Sequence, residues 1–273
     1  MTLSIAGKTA IVTGAANGIG LAIARHFQDK GANVMFADMD EARLEAEVGA
    51  ESRSEGAVRM FAGDLRQKLT VVNLLSATID AFDRVDVLVN ASRQMLQSDP
   101  LCPEDDGVEE LLQQNLMTGL RLAQMTAKRM IQRADREAGA GDQPRGQIGS
   151  IINLSSIAAT RTQGSLLGYS ISCAAVDQMT RSLAVALAPR GIRVNAVAFG
   201  SLMSASLQTA MKEHPGYMQA IEAGTPLHRI AAASELVETV QFLASDAAGF
   251  ITGQILTVDG GRSLLDAVAA PAH

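Results

Sequence analysis

The sequence has no tryptophan, and aromatic residues make up only 3 % of it. Its interior must therefore be built from Ala, Val, Ile, Leu and Met, which suits thin strands and closely packed helices better than a β-sandwich. Two cysteines, Cys102 and Cys173, are too few for a disulfide framework. No apolar run approaches the ~18 residues of a membrane helix. The opening residues, Met1 to Lys8, lack the basic start and long apolar stretch of a secretory signal. A cytoplasmic location is expected. Basic residues are scattered singly and the net charge is −6, which argues against nucleic acid or an anionic membrane as partner. No metal-ligand set is assigned.

What is present is an alternation. The 273 residues, 47 % hydrophobic and 19 % charged, fall in the ordinary globular range, and a chain of this size buries about three quarters of its unfolded surface. Apolar runs that read as strands occur at Thr9 to Thr13, Asn33 to Ala37, Val58 to Ala62, Val85 to Val89, Ser150 to Leu154, Arg193 to Ala198 and Ile255 to Val258. Helical spacing lies between them, at Ile19 to Lys30, Glu41 to Val48, Leu69 to Phe82, Val108 to Ile131, Gly168 to Ala188, Ser204 to Glu222 and Ser234 to Leu243. Strand and helix in turn imply right-handed crossovers and a parallel sheet covered on both faces. The fold class expected is α/β: one doubly wound domain over residues 1–273, with about seven parallel strands. The Gly- and charge-rich segment Ala134 to Gln147 reads as a long surface loop.

Thr13-Gly14-Ala15-Ala16-Asn17-Gly18-Ile19-Gly20 joins the first strand to the first helix. Glycines at 14, 18 and 20 permit a tight turn and close approach of a pyrophosphate, and the helix start offers it unpaired N–H groups and a positive dipole end. A glycine triplet alone also fits a tight turn with no ligand. Asp38 strengthens the ligand reading: it ends the second strand about 20 residues on, where a carboxylate accepts from the adenosine ribose hydroxyls and repels a 2′-phosphate. Neither Met39 nor Asp40 supplies a compensating cation. NAD is the expected cofactor, against the alternative that Asp38 merely caps a turn.

The spacing Thr-Gly-x-x-x-Gly-Ile-Gly resembles the short-chain dehydrogenase/reductase family, and the resemblance extends over nearly the whole chain. Asp64-Leu65 resembles the family's adenine-contacting pair, and Asn115 lies on the helix where the family keeps a catalytic asparagine. Ile151-Ile152-Asn153-Leu154-Ser155-Ser156 resembles the strand ending in the catalytic serine, and Tyr169 follows thirteen residues later, the family's usual separation. Arg193 to Val197, Phe250 to Gln254 and Val258-Asp259-Gly260-Gly261 resemble its sixth strand and C-terminal signature.

The resemblance implies that Tyr169 exchanges a proton with the substrate oxygen during hydride transfer, Ser156 binds that oxygen, and Asn115 holds a relay water. It implies cofactor contacts from Gly14, Asn17, Gly18, Ile19, Gly20, Asp38, Asp64, Leu65, Asn90, Ala91, Tyr169, Gly200, Leu202 and Ser204. It also implies a small alcohol or carbonyl substrate, a lid over 204–222, and a homo-oligomer, dimer or tetramer, pairing its long helices. Blander readings stand beside these: Ser156 as a strand-end cap, Tyr169 as an interface residue, Asn115 as a polar helix residue.

Three departures from the family pattern cluster together. Four residues after Tyr169, where the family has lysine, stands Cys173. That lysine lowers the tyrosine pKa and holds the nicotinamide ribose, and a thiol does neither. Cys173 reads as a small apolar filler rather than a nucleophile. Arg93 stands for a glycine after the fourth strand; it pairs with a phosphate, pairs with a substrate carboxylate, assists Tyr169, or is a solvated loop residue. Phe199 stands for a proline beside the nicotinamide. An NAD-dependent oxidoreductase, weakened at proton transfer by about 10²–10⁴-fold, is the expected function. The alternative is a non-catalytic dinucleotide-binding or subunit-stabilising relative; a methyltransferase on a similar sheet is disfavoured. On these grounds Cys173→Lys is expected to raise turnover at least about tenfold.

Overall fold

The computed structural model describes residues 2–54, 56–138, 146–203, 205–266 and 268, with backbone alone at 205 and 206. Seven strands form one parallel sheet: β1 (Thr9–Thr13), β2 (Asn33–Asp38), β3 (Val58–Ala62), β4 (Val87–Asn90), β5 (Gly149–Ser156), β6 (Ile192–Phe199) and β7 (Ile255–Val258), in the order β3-β2-β1-β4-β5-β6-β7. Helices α1 (Gly18–Asp29), α2 (Glu41–Ser52) and α9 (Ala233–Ala244) cover one face, burying Ile23, Phe27, Leu44, Leu236 and Val240. Helices α3 (Lys68–Phe82), α5 (Thr118–Ala138) and α6 (Leu167–Leu187) cover the other with Val71, Leu74, Leu122, Met130 and Ala184. Strands buried on both faces need continuous apolar runs, and β1 and β6 are buried at every residue. Shorter helices are α4 (Val108–Leu111), α7 (Ala205–Glu213) and α8 (Gly216–Ala223).

Two sequence expectations change. The helix expected at Val108 to Ile131 is interrupted: α4 passes into a π-helical turn, Leu112–Met117, before α5 begins. It also runs further, taking in Ala134 to Ala138 from the segment read as a loop. Ala134-Asp135-Arg136-Glu137-Ala138 is rich in helix formers, and this last stretch is anchored by Asp135 to Arg190. Residues 139–145 of that segment lie outside the described residues.

The sheet is tied at its amino edge by Asp86, just before β4. Its carboxylate accepts from the backbone N–H of Thr9 and from Arg84 and Arg133, the last at 2.6 Å. Burial would raise its pKa, but the hydrogen bonds from Arg84, Arg133 and Thr9 outweigh it and hold the carboxyl below its usual range. Asp86→Ala leaves Arg133, whose side chain is 11 % exposed, with only Ile148 O and a 3.6 Å contact to the exposed Glu137, and removing one partner of a buried pair this way costs about 3 kcal/mol. Urea unfolding should show that loss near neutral pH. Because the folded pKa is depressed, the contribution is complete above the unfolded value of about 4 and fades as pH falls through the folded one, so wild type and variant should converge in acid.

Candidate active site

A parallel sheet presents its ligand site at the carboxyl ends of its strands, in the crevice where the strand order reverses. Here that crevice opens between β1 and β4. Thr13 ends β1, and its Oγ1 accepts from the N–H groups of both Ala91 and Ser92 at 3.0 Å while donating to Val89 O at 3.5 Å. This one hydroxyl fastens the loop after β4 to the glycine turn. The sequence offers one signal for it, a hydroxyl at the carboxyl end of β1 directly before the glycine turn.

The glycine turn is built for contact. Gly20 lies so close beneath the turn that a Cβ there would fall 2.1 Å from Gly14 O. Gly14 needs its freedom twice over, with φ +67 and a Cβ position only 2.9 Å from Ser92 Cα. Asn17 precedes α1 in extended conformation and makes no side-chain cap, so the helix start keeps its N–H groups for something else. Ile19 packs partly buried against the core. The tip of β2 closes over this turn: Asp38 Oδ2 accepts from Ala16 N at 3.0 Å and Oδ1 from Asp40 N at 3.1 Å. A carboxylate offers about four acceptor directions, so capacity for two ribose hydroxyls remains.

Gly14, Asp38, Met39, Asp64, Leu65 and Ser92 line one small cleft. Leu65 is buried among Val71 and Leu74. Asp64 grips Arg66 through both oxygens, and that hydrogen-bonded guanidinium holds its carboxyl below the usual range. These residues fit an adenosine: glycines leave room for a pyrophosphate, the helix start is free, and an acidic tip faces the sugar position.

On the far side of the crevice, β5 delivers Ser156 and α6 delivers Tyr169. Ser156 Oγ accepts from Ala158 N at 3.2 Å, and Ser156 stands near enough to Tyr169 to draw its phenol pKa downward. Tyr169 is 2 % exposed. Burial pushes its phenol upward; Arg93 and then Ser156 pull it down, and Cys173 pushes it up again. The Cys173 thiol is likewise raised by burial and lowered by Arg93. A raised thiol pKa leaves little thiolate, which agrees with a filler role.

Asn115 lies in the π-helical turn, a feature that in other helices often marks functional sites. Its Oδ1 accepts from Gln94 N at 2.8 Å, and its Nδ2 donates to Gln94 O at 2.9 Å and Ser172 Oγ at 3.0 Å. Its amide therefore braces the loop after β4 against α6. Asn90 donates through Nδ2 to Asn153 Oδ1 at 2.8 Å, and Asn153 in turn to Thr180. Between these asparagines, Tyr169 and Cys173 lies a cavity of about 20 Å3, room for one water.

Gly200 follows Phe199 where a Cβ would meet Asp259 at 3.0 Å, and Leu202 is buried and bridges to Ala231. Ser204 lies outside the described residues.

The departures meet in one place. Arg93 reaches across the crevice so that its Cζ stands 4.1 Å from the Phe199 ring centre and 5.7 Å from that of Tyr169, while Nη1 donates to Ser155 O at 3.0 Å. Phe199 is in register with Ser156 at the strand ends. The sequence identifies Arg93, Phe199 and Cys173 as departures, and the contacts with Phe199, Tyr169 and Ser155 set the direction of the arginine.

Comparison with known proteins agrees with this architecture. The family model described as Enoyl-(Acyl carrier protein) reductase matches residues 14–263. The short chain dehydrogenase/reductase astE of Aspergillus oryzae is 32 % identical over 96 % of this chain and 97 % of its own length. Among solved structures, a 7α-hydroxysteroid dehydrogenase complexed with NADH and 7-oxo glycochenodeoxycholic acid superposes with a TM-score of 0.84 at 28 % identity, covering 95 % of each chain. A gluconate 5-dehydrogenase from Burkholderia cenocepacia in complex with NADP and tartrate superposes with a TM-score of 0.84 at 26 % identity, covering 97 % of this chain and 98 % of that one. With the seven-stranded sheet, the glycine turn and the serine–tyrosine pair, these matches settle the relationship: the chain belongs to the short-chain dehydrogenase/reductase family of oxidoreductases.

Proposed function

We propose that this chain moves hydride between NAD and a secondary alcohol or its ketone, with Tyr169 handling the proton. The observation that carries the reading is the meeting of Ser156 at the end of β5 with Tyr169 near the start of α6, across the crevice from Asp38. NAD, when bound, supplies the two-electron hydride acceptor, or in its reduced form the donor. Gly14, Asn17, Gly18, Ile19 and Gly20 would hold its pyrophosphate, Asp38 its adenosine ribose, and Asp64, Leu65, Asn90 and Ala91 its adenine side and the turn between the halves. Gly200, Leu202 and Ser204 would flank the nicotinamide. In reduction, hydride adds to the carbonyl carbon while the Tyr169 hydroxyl gives its proton to the carbonyl oxygen. Oxidation returns that proton to the phenolate. Ser156 orients the oxygen throughout, and Asn115 holds the framework around the water-sized cavity.

NAD rather than NADP follows from the uncompensated charge of Asp38. Like charges brought together cost several kcal/mol, and each 1.4 kcal/mol is a factor of ten in affinity. Asp38→Asn, which keeps one acceptor for the Ala16 N–H, should narrow the preference for NAD over NADP by about a hundredfold, read by calorimetry with each nucleotide. An unchanged ratio would remove Asp38 from the site.

The substrate is a small alcohol or carbonyl compound, admitted under a lid formed by residues 204–222, which include α7 and all but the last residue of α8. Among the described residues no helix is long and apolar enough to cross a membrane. Both cysteines are free, which suits a reducing compartment, and the reading places the chain in the cytoplasm. Exposed Val185 on α6 and the fully exposed Phe250 favour association of copies into a dimer or tetramer.

A second reading, a dinucleotide-binding relative without turnover, is favoured by the Arg93–Phe199 stack over a nearly solvent-free Tyr169. A panel of secondary alcohols and ketones with NAD and NADP, followed by nicotinamide absorbance, separates the two. Hydride transfer supports the first. Thermal protection by NAD with no transfer across the panel supports the second.

A further inference from the structure

A phenol as buried as Tyr169 is a poor proton carrier near neutral pH, because burial disfavours its charged form. Something must stabilise the phenolate if the reaction proposed above is to turn over. From the elements packed around Tyr169, the titratable or charged groups facing it are few. Its own helix presents Cys173, and the loop after β4 presents Arg93. The end of β5 adds the neutral Ser156, while α4 and the π-helical turn add Leu111 and Asn115. Glu109 and Glu110 of α4 are exposed. Of the residues lining the cavity beside Tyr169, Arg93 is the one that carries charge.

The guanidinium is held there by specific contacts. It lies on the Phe199 ring at 4.1 Å, donates to Ser155 O at 3.0 Å, and stands within cation–π range of the Tyr169 ring at 5.7 Å. Among the described residues no carboxylate pairs with it, so its charge is not cancelled before it reaches the phenol. Ser155 and Phe199 belong to neighbouring strands, which fixes the guanidinium from two rigid elements.

We propose that Arg93 is the cation that lets Tyr169 give up and recover its proton, and that Phe199 positions it. The positive charge that the family resemblance leads one to expect on α6, at position 173, is carried instead by the β4 loop. The inference rests on the hydride-transfer reading above and deepens it. It accounts for the three departures together: Arg93 supplies the charge, Phe199 gives it a flat surface to lie on, and Cys173 keeps the adjacent helix position small and neutral. Arg93 is the largest influence opposing burial at both Tyr169 and Cys173.

This changes the expectation for Cys173→Lys. In the natural chain a lysine there is brought towards Arg93, beside a cavity of only about 20 Å3, and two cations crowd one pocket. No gain in turnover is expected from that change alone. In an Arg93→Gln background the same lysine should restore what the arginine supplied.

The test has two readouts. The chain has two tyrosines and no tryptophan, and Tyr217 is 42 % exposed, so in a Tyr217→Phe background the near-ultraviolet phenolate signal belongs to Tyr169 alone. In that background Arg93→Gln should move the Tyr169 titration to higher pH and Arg93→Lys should largely preserve it, with circular dichroism confirming that each variant is folded over the range used. In steady-state kinetics Arg93→Gln should lower kcat about a hundredfold near neutral pH, shift the pH profile to the alkaline side and leave KM nearly unchanged. Phe199→Leu should act in the same direction but more weakly. The proposal is overturned if Arg93→Gln leaves the phenol titration in place. It is equally overturned if the variant raises KM only for carboxylate-bearing substrates, which would make Arg93 a reader of substrate. Should the natural protein show no hydride transfer at all, the functional reading above falls, and the titration still decides whether Arg93 governs Tyr169.

Discussion

Replacing Tyr169 by phenylalanine is expected to lower hydride transfer by about 10²–10⁴-fold, the range that a positioned acid–base group contributes. The change deletes one oxygen and keeps the ring. The ring is what packs against Leu111, Ala158 and Cys173 and what Arg93 faces, so the fold and the Arg93–Phe199 stack should survive. Ser156 keeps the N–H of Ala158. NAD affinity should change by less than about tenfold, since the phosphate and adenosine contacts lie across the crevice. The decisive comparison is kcat against the Kd for NAD. Both falling together would mean that Tyr169 holds the site's shape, and a kcat that survives would remove it from the chemistry.

Gly20→Ala should have an effect of comparable size by a different route. The new methyl would fall 2.1 Å from Gly14 O and 2.9 Å from Thr13 O, against main-chain atoms that cannot rotate away. Either α1 moves outward or the glycine turn opens, and overpacking of this kind costs typically 1–3 kcal/mol. For a chain of this length each kcal/mol lowers Tm by about 2–4 °C, so a fall of up to roughly 10 °C is expected. The loss of NAD affinity should exceed the loss of stability, at about a hundredfold or more, because the displaced backbone is the proposed phosphate cradle. Gly18→Ala is the useful contrast. Nothing lies within 4 Å of its Cβ position, but its φ is +55, so it pays only a left-handed backbone penalty of about 1–2 kcal/mol. A Gly20→Ala protein that binds NAD normally would place the cofactor elsewhere.

Most of the fold was legible because it depends on patterns that a linear reading can see. β1, β3 and β7 begin and end at the residues the apolar runs indicate. The boundaries that moved did so for local reasons. Ser155 and Ser156 break the apolar run yet continue β5, because β6 is long enough to pair with them. The π-helical turn at Leu112–Met117 carries no sequence signature; within it, Asn115 bonds the backbone of Gln94 across the crevice. A bond between loop and helix twenty-one residues apart is a tertiary fact. The same holds for Arg93: its identity was visible, and its direction depends on a ring at 199 and a carbonyl at 155. The candidate residues Ser156, Tyr169 and Asn115 do come together, but Asn115 serves as a brace through contacts no spacing rule supplies.

The reversal of strand order between β1 and β4 has an evolutionary consequence. The glycine turn, Asp38, Asp64 and Leu65, proposed to grip the pyrophosphate and adenosine, are encoded before residue 66, and every residue of the Arg93, Tyr169, Cys173 and Phe199 group is encoded after residue 92; Asn90 and Ala91 lie at the seam, which Thr13 stitches. Selection can therefore rewrite the second segment while the first is inherited unchanged. A lineage of this kind can try out new ways of moving a proton without first having to reinvent its grip on the nucleotide.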